Sequence, residues 1–277
     1  HVPRAARVLC GVGRLPDDAH WAPPVRAHLR MSTIASTSPA SLAVDPGIDD
    51  LSYSVRRYFV DEFFQRHAGA LPEGAEVLDV GGLKGKKRGR FDISRLPLRV
   101  TYANVSASAD PDILCDACEV PRPDASFDAV ILAEVVEHLP DAPAALAEAS
   151  RLLRPGGVLL ATAPFMFRVH ADPIDVARYT PQWWEAILAA NAFGDITIER
   201  QGQLFSVMAE LLRGWVYYLE GARKFWPGTR ETAHALVRWA RAQAFKWERV
   251  PGVRDDAYYS SFALGYGVAA RREGARA

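Results

Sequence analysis

Histidine, aspartate, arginine and tyrosine occur together in the segment 170–180, which reads HADPIDVARYT. A neutral histidine accepts a proton near pH 7, and a carboxylate beside it can orient its ring. The segment therefore predicts that His170 acts as a general base, oriented by Asp175 or Asp172. The chemistry that this arrangement would serve is the removal of a proton from an attacking hydroxyl group.

The other polar residues of the segment predict substrate binding, and the candidates are Asp172, Arg178 and Tyr179. Two alternatives stay open. In the first, Asp175 and Arg178 form an ion pair three residues apart and Thr180 caps a following helix, so that the segment is structural. In the second, the histidine and the two aspartates hold a divalent ion. Because oxygen-rich ion sites usually need more ligands, the sequence predicts no metal site.

A glycine-rich turn lies in the stretch VLDVGGLKG at 77–85. An apolar strand leads into glycines, which let the backbone approach a ligand without a Cβ in the way and accept positive φ angles. Val80 stands where the dinucleotide fingerprint G-x-G-x-x-G needs its first glycine, and no Gly-Lys-Ser/Thr follows as in a P-loop. The turn therefore predicts a ligand site without identifying the ligand.

The elements that would position these residues alternate between strand and helix. Apolar stretches predict seven strands, at 77–80, 99–105, 113–115, 127–133, 158–163, 196–199 and 262–270. One helix is predicted between a cap at Asp49 or Asp50 and Gly69, and a second from Asp141 to Leu153, ahead of a Pro-Gly-Gly stop. The alternation predicts an α/β fold with a doubly wound, parallel sheet that binds ligands at the carboxyl ends of its strands.

Four stretches, in this order, resemble the class I methyltransferases that depend on S-adenosyl-L-methionine (SAM). They are VLDVGGLKG at 77–85, CDACEVPRPDASFDAV at 115–130, ILAEVVEHLPD at 131–141 and RLLRPGGVLLATAPF at 151–165. The resemblance covers most of residues 50–200 and implies a Rossmann-like, seven-stranded methyltransferase sheet. The stretch PFMFRVHADPIDVARYT at 164–180 resembles a bacterial branch associated with the assembly of polysaccharides and glycoconjugates.

The resemblance implies a set of cofactor-binding residues: Asp79, Gly81, Gly82, Gly85, Asn104, Asp116, Ala117 and Glu134. The residues at 79–85 would face the methionine end and ribose of SAM. Asn104 stands where the family commonly has a carboxylate that binds both ribose hydroxyls. Asp116, with the amide of Ala117, resembles the adenine-binding pair, and Glu134 would face the same cleft. Leu83 replaces the usual middle glycine of the turn.

Structural roles are the alternatives for these residues. Asp79 could cap the turn that follows it, Asp116 could be a surface turn residue, and Glu134 could cap a helix. The pair Cys115-x-x-Cys118 has no second pair with which to bind zinc, so a core role is predicted for it. His138, in the sequence Glu-His-Leu-Pro, is expected to satisfy backbone groups at a helix end.

The composition excludes several classes of protein. The chain has 277 residues, 49% of them hydrophobic, with 33 basic and 33 acidic residues. The balanced charge does not favour nucleic acid as a partner. Three cysteines are too few for a disulfide scaffold, so we expect a cytoplasmic protein, with a position at the membrane surface as an alternative. The longest apolar stretch, 204–219, contains Glu210 and Arg213, so no transmembrane helix is expected.

The sequence predicts four segments. Residues 1–30 form a disordered or non-native leader, 31–202 the SAM-binding core with an N-terminal helix, 203–255 a helical, aromatic-rich insertion or lid, and 256–277 the last strand and tail. A homodimer through 203–255 is one use of its aromatic residues. Five basic residues beside the glycine turn suit a phosphorylated or lipid-linked acceptor, or else a solvated surface: Lys84, Lys86, Lys87, Arg88 and Arg90.

Together these observations predict a SAM-dependent methyltransferase that methylates a hydroxyl group of a sugar or glycoconjugate. Its acceptor would be a small molecule or a glycan. Two alternatives are a noncatalytic SAM-binding scaffold, suggested by Leu83 and Asn104, and an NAD-dependent sugar-modifying enzyme. The second alternative lacks the Tyr-x-x-x-Lys pair of the short-chain dehydrogenases.

Overall fold

The computed structural model describes residues 35–36 and 45–274, apart from 86–88, 172–173 and 226–227. Its strands are β1 (Ala35–Ser36), β2 (Glu76–Val80), β3 (Arg99–Asn104), β4 (Ile113–Leu114), β5 (Phe127–Ala133), β6 (Leu153–Pro164), β7 (Phe193–Gln201) and β8 (Gly265–Arg272). Its α-helices are α1 (Val55–His67), α2 (Ala142–Leu152), α3 (Pro181–Ala190), α4 (Leu204–Gly221), α5 (Arg230–Trp247) and α6 (Pro251–Arg254). The predicted leader and Asp172 lie outside the described residues.

The strands form one sheet in the order β1-β7-β8-β6-β5-β2-β3-β4. All pairs are parallel except those of β8, which runs antiparallel to both β6 and β7. The seven predicted strands and the doubly wound, Rossmann-like α/β fold are confirmed, with β1 as a two-residue addition at the edge. The prediction of a parallel sheet was wrong for β8, because an apolar stretch does not encode the direction in which its strand runs.

Helices cover both faces of the sheet. On one face α2 and α3 pack through Leu146 and Trp184 onto alternate residues of the central strands, such as Leu78 and Val130. On the other face α1 packs through Phe63 and Phe64 onto the residues between them, such as Val77 and Ala129. Both faces of the central strands are buried, which explains why β2 and β5 are almost continuously apolar. The ends of these strands are thereby held rigidly.

Two predicted boundaries need correction. Helix α1 begins at Val55, because the Ser54 hydroxyl caps it by accepting from the Arg57 amide at 2.9 Å. Asp50 instead closes the preceding turn, where its carboxylate accepts from the Ser52 amide at 3.0 Å. The Pro-Gly-Gly sequence at 155–157 does not separate helix from strand. It lies inside β6, where the pairing with β5 shifts register.

The segment 203–255 contains helices α4 to α6, and α4 packs against α5. Aromatic contacts join its parts, including an edge-on contact between Phe205 and Trp247 with ring centroids 4.8 Å apart. The helical character predicted for this segment agrees with the structure, while its division from the core as a unit stays a prediction. Among the described residues, no helix combines the length and the apolar character needed to cross a bilayer.

Candidate active site

The glycine turn at the end of β2 is shaped by close contacts with Asp79. Gly81 has a φ of +80°, and a Cβ there would lie 2.5 Å from Cγ2 of Val135. A Cβ on Gly82 would lie between 2.3 and 2.8 Å from the carboxylate atoms of Asp79. Both positions therefore require glycine, and the backbone of the turn approaches its surroundings as closely as a cofactor cradle demands. Burial raises the pKa of Asp79 to about 7.

Asn104 holds the same turn from the end of β3. Its side-chain amide donates to the carbonyl of Gly82 at 3.1 Å, and its Oδ1 accepts from the Ser106 amide at 2.9 Å. The predicted role in ribose binding therefore competes with a role in fixing the turn. Asp116 lies after β4, and its carboxylate accepts from the Cys118 amide at 2.8 Å, as in a turn. Ala117 is partly buried against the core beside it.

A cavity of about 250 Å³ opens over the glycine turn. Asp79, Gly81, Gly82 and Gly85 all line it, together with residues of α1 such as Phe64 and of β3 such as Tyr102. The structure thus brings together the first half of the predicted cofactor set. Neither described cavity has Asn104, Asp116 or Ala117 in its lining, so their assignment as cofactor residues stays a prediction.

Glu134 lies at the end of β5 with an unusual backbone and a buried partner. Its φ is +55°, and its carboxylate accepts from Nε and Nη2 of Arg56, with 3.0 Å between Oε2 and Nε. The Arg56 charge holds the pKa of Glu134 below its usual value against the opposing effect of burial. Arg56 also donates to the side chain of Gln201. Sequence reasoning missed Arg56, because nothing distinguishes it from other helical arginines.

The segment 170–180 is organised around Asp175, whose side chain is 2% exposed. The Asp175 carboxylate accepts from the His170 amide at 2.8 Å, lies 3.2 Å from its Nδ1, and forms an ion pair with Arg178. The hydrogen bond from Arg178 holds the pKa of Asp175 far below its usual value. The structure therefore contains the predicted contact between His170 and Asp175, and also the ion pair of the structural alternative.

The remaining residues of the segment are packed or outside the described chain. Tyr179 stacks on Trp183 with ring centroids 3.9 Å apart, and its hydroxyl lies 3.4 Å from the Val136 carbonyl. Thr180 caps α3, as its hydroxyl accepts from the Trp183 amide at 3.3 Å. These contacts give Arg178 and Tyr179 structural roles, and their binding of an acceptor stays a prediction.

Sequence reasoning also missed the surroundings of Glu137. This side chain is fully buried, and its Oε1 lies 3.6 Å from Nε2 of His138. Burial and the neighbouring Glu134 raise the pKa of Glu137 to about 8. The Nδ1 of His138 contacts the Ile174 carbonyl, which agrees with the predicted role of His138 toward backbone groups. The signal in the sequence was the repeated glutamate in EVVEH after β5, a set of ionisable residues at a strand end.

A second cavity of about 1040 Å³ lies between the ends of β5 and β6 and helix α4. Glu134, His138 and His170 line it from the sheet side, together with Arg168. From α4 come the exposed aromatic residues Trp215, Tyr217 and Tyr218. Arg57 lines both cavities, so the two adjoin. A ligand at the glycine turn and a second molecule would therefore lie on either side of Arg57.

The basic cluster beside the glycine turn is partly paired. Lys84 lies 2.5 Å from the Asp112 carboxylate, and Arg90 lies 2.5 Å from that of Asp45. Lys86, Lys87 and Arg88 lie outside the described residues. The two described members are therefore partly exposed and paired with carboxylates of the chain itself, and the role of the cluster in binding an acceptor stays a prediction.

Comparisons with known proteins add evidence on the kind of site. Residues 78–161 match a family described as a methyltransferase domain. The chain is 27% identical over 178 residues to a ubiquinone biosynthesis O-methyltransferase of Rhodopseudomonas palustris, spanning 54% of this chain and 70% of that protein. It is 35% identical over 127 residues to a probable S-adenosylmethionine-dependent methyltransferase of Mycolicibacterium smegmatis, spanning 43% of this chain and 48% of that protein.

Among solved structures, the chain is similar to a SAM-dependent methyltransferase from Archaeoglobus fulgidus. The sequence identity is 16% and the TM-score is 0.48, over 78% of this chain and 94% of that one. The match at 78–161 runs from β2 into β6 and therefore includes the glycine turn, Asn104, Asp116, Glu134 and Glu137. It ends before the segment 170–180.

Proposed function

We propose that this chain, a SAM-dependent methyltransferase with a class I fold, methylates a hydroxyl group of a sugar or glycoconjugate. The observation that carries the proposal is the second cavity. It adjoins the glycine-turn cavity at Arg57 and combines ionisable groups with the aromatic side chains of α4. Such a lining suits a polar ring, because aromatic faces pack on its apolar side while charged groups bind its hydroxyls.

The residues at the glycine turn fit the cofactor. Gly81 and Gly82 leave no room for a side chain, so their backbone can lie against a ligand, and Asp79 offers a carboxylate in the same cavity. When bound, SAM supplies a methyl group on a positively charged sulfur. The task of this chain is then to orient the acceptor, exclude water and remove the acceptor's proton. Orientation alone is worth roughly 7 to 11 kcal/mol in favourable cases.

His170 is the proposed base, and Asp175 is its positioning residue. The Nδ1 of His170 faces the Asp175 carboxylate at 3.2 Å, which favours a proton on Nδ1 and leaves Nε2 to accept one from the hydroxyl. Arg178 fixes Asp175 through their ion pair. Arg57 and Arg168 add positive charge to the cavity lining, which suits a phosphorylated acceptor.

The curated relatives support oxygen as the methylated atom, since the first one described is named as an O-methyltransferase. The sugar or glycoconjugate acceptor rests on the cavity lining and on the resemblance of the segment 164–180. The cytoplasmic location remains an expectation from the cysteine content.

The acceptor is tested by incubating the full chain with SAM labelled in its methyl group and a panel of acceptors. The panel holds nucleotide sugars, a glycolipid, a catechol and an amine. We expect label in a methyl ether on a sugar hydroxyl, located by NMR. Transfer to the catechol or the amine alone would contradict the sugar acceptor while leaving the methyltransferase intact.

The base is tested with His170→Ala. We expect kcat to fall roughly a hundredfold or more, because the proton then has no acceptor as the bond forms. The dissociation constant of SAM, measured by calorimetry, should change less than twofold. His234→Ala, a histidine on α5 that contacts Glu220, is the matched control and should retain turnover. Full turnover in His170→Ala would leave the segment with a structural role only.

A further inference from the structure

Glu137, near the second cavity, is an ionisable side chain that lacks hydrogen-bond partners among the described residues. It is fully buried, and neither of its carboxylate oxygens has a hydrogen-bond partner among the described residues. A buried carboxylate without partners is costly, so its retention needs an explanation. His138 and His170 lie beside it, and one ligand atom from each of the three residues falls within 4.8 Å of the others.

The partners of the Nδ1 atoms in His138 and His170 suit metal binding by the other ring nitrogen. The Nδ1 of His138 contacts the Ile174 carbonyl, which can only accept, so the proton of a neutral ring lies on Nδ1. Its Nε2 then carries a lone pair and lies 3.6 Å from Oε1 of Glu137. The Nδ1 of His170 likewise faces the Asp175 carboxylate at 3.2 Å. Histidines that bind metals commonly donate their second N–H to a carbonyl or carboxylate in this way.

We propose that Glu137, His138 and His170 bind one divalent ion of the zinc class beside the second cavity, which His138 and His170 line. Two imidazoles favour zinc, cobalt or nickel, whereas magnesium and calcium prefer oxygen ligands. Three protein ligands leave a coordination position open. Because His138 and His170 both line the cavity, the ion would lie next to the space proposed for the acceptor.

The proposal goes beyond the proposed function and does not depend on the acceptor. Nε2 of His170 cannot bind an ion and accept a proton at the same time. In the protein loaded with the ion, His170 would hold the metal, so the role of His170 as a base applies to the protein without the ion. The ion would then supply Lewis-acid chemistry, lowering the pKa of a hydroxyl bound to it.

The test is a titration of the full chain, treated with a chelator and dialysed, with Zn²⁺ by calorimetry and with Co²⁺ by visible absorption. Neither SAM nor an acceptor is present, so the result is independent of methyl transfer. We expect one ion per chain and a cobalt spectrum typical of low coordination number. The absence of binding by both ions would overturn the proposal.

Variants locate the site. Glu137→Gln and His138→Gln should each weaken Zn²⁺ binding at least tenfold, and Asp175→Asn should weaken it about tenfold to a hundredfold through the orientation of His170. His234→Ala should bind as the parent does. Circular dichroism checks that each variant is folded. If one of the two glutamine variants fails to fold, the other still tests the site. Parent-like affinity in both glutamine variants, or an equal loss in His234→Ala, would overturn the assignment.

Discussion

Asp79 combines a cost to stability with a place in the cofactor cavity. Burial raises its pKa from 3.8 to about 7, so the folded protein binds this proton more tightly than the unfolded chain does. The loss of folding stability that comes from burying the charged carboxylate is absent below pH 4. It grows as the pH rises toward 7 and is complete above pH 7. Asp79→Asn should therefore raise the free energy of unfolding at pH 8 by roughly 2 to 4 kcal/mol, and hardly change it at pH 4. Urea denaturation at both pH values measures this.

The same variant should bind SAM about tenfold more weakly, because a carboxylate in the cofactor cavity is lost. Asp112→Asn is the control for stability, because it should change the free energy of unfolding at pH 8 in the opposite direction. The hydrogen bond from Lys84 lowers the pKa of Asp112, so this carboxylate stabilises the fold above pH 4 and its removal should destabilise the protein at pH 8. Equal stability of Asp79→Asn and the parent at pH 8 would show that Asp79 carries no burial penalty.

The turn at Asp79 could be predicted from local sequence, because the positions that have no room for a side chain are occupied by glycines next to the strand. Gly81 and Gly82 follow directly on β2, and their steric need is visible in the residue type. The partners of Glu134 and Glu137 could not be predicted in the same way. Arg56 lies 78 residues from Glu134 along the chain. His170 lies close to Glu137 because the segment after β6 brings it back to the end of β5. Such contacts depend on tertiary packing that no local pattern encodes.

Among the elements, helix α4 is capped by a side chain from outside it. Its N-cap residue Gln203 makes no side-chain cap, and the buried Glu248 after α5 accepts from the amides of Gln203 and Ser206 at 3.1 and 2.6 Å. Glu248→Ala leaves these amides without a partner and should cost about 1 to 3 kcal/mol of stability. Hydrogen exchange should show the loss first in the early amides of α4.

The matched control is Glu231→Ala, an exposed glutamate in the first turn of α5. It should cost at most about 0.5 kcal/mol, since its contribution is that of a solvated charge near a helix end. Unaltered exchange in α4 of Glu248→Ala would mean that water replaces the carboxylate. The helices of this segment were predictable from their apolar content, whereas this cap joins positions 45 residues apart and was not.

The strand boundaries also differ in whether local sequence or pairing with other strands determines them. The ends of β2 and β5 were predicted to within one residue, because both strands are buried on two faces and end at glycine or at a polar residue. The start of β6 was missed by five residues, since Pro155, Gly156 and Gly157 favour a turn by type. Pairing with β5 and β8 nonetheless holds this part of the chain in the sheet.

At the scale of the whole molecule, α4 and α5 carry large apolar side chains that no other described part of the chain covers. Met208 and Leu211 on α4 are 57% and 58% exposed, and Leu236 and Trp239 on α5 are 48% and 55% exposed. Because each is already about half buried, burying these four side chains from both partners would contribute roughly 6 to 12 kcal/mol, which is of the same order as the cost of association. We therefore expect a homodimer through 203–255 with a dissociation constant in the micromolar range.

Sedimentation velocity over a series of concentrations measures this equilibrium. Trp239→Glu should shift the parent's dimer to monomer, because a carboxylate would be buried in the contact without a partner. Tyr258→Glu is the matched control: Tyr258 is 64% exposed but lies outside the two helices, so this variant should still dimerise. Trp239 does not line either described cavity, so monomeric Trp239→Glu should also retain SAM affinity. A parent that stays monomeric at the highest concentration would contradict the homodimer. A Trp239→Glu variant that dimerises as the parent does would remove α5 from the interface.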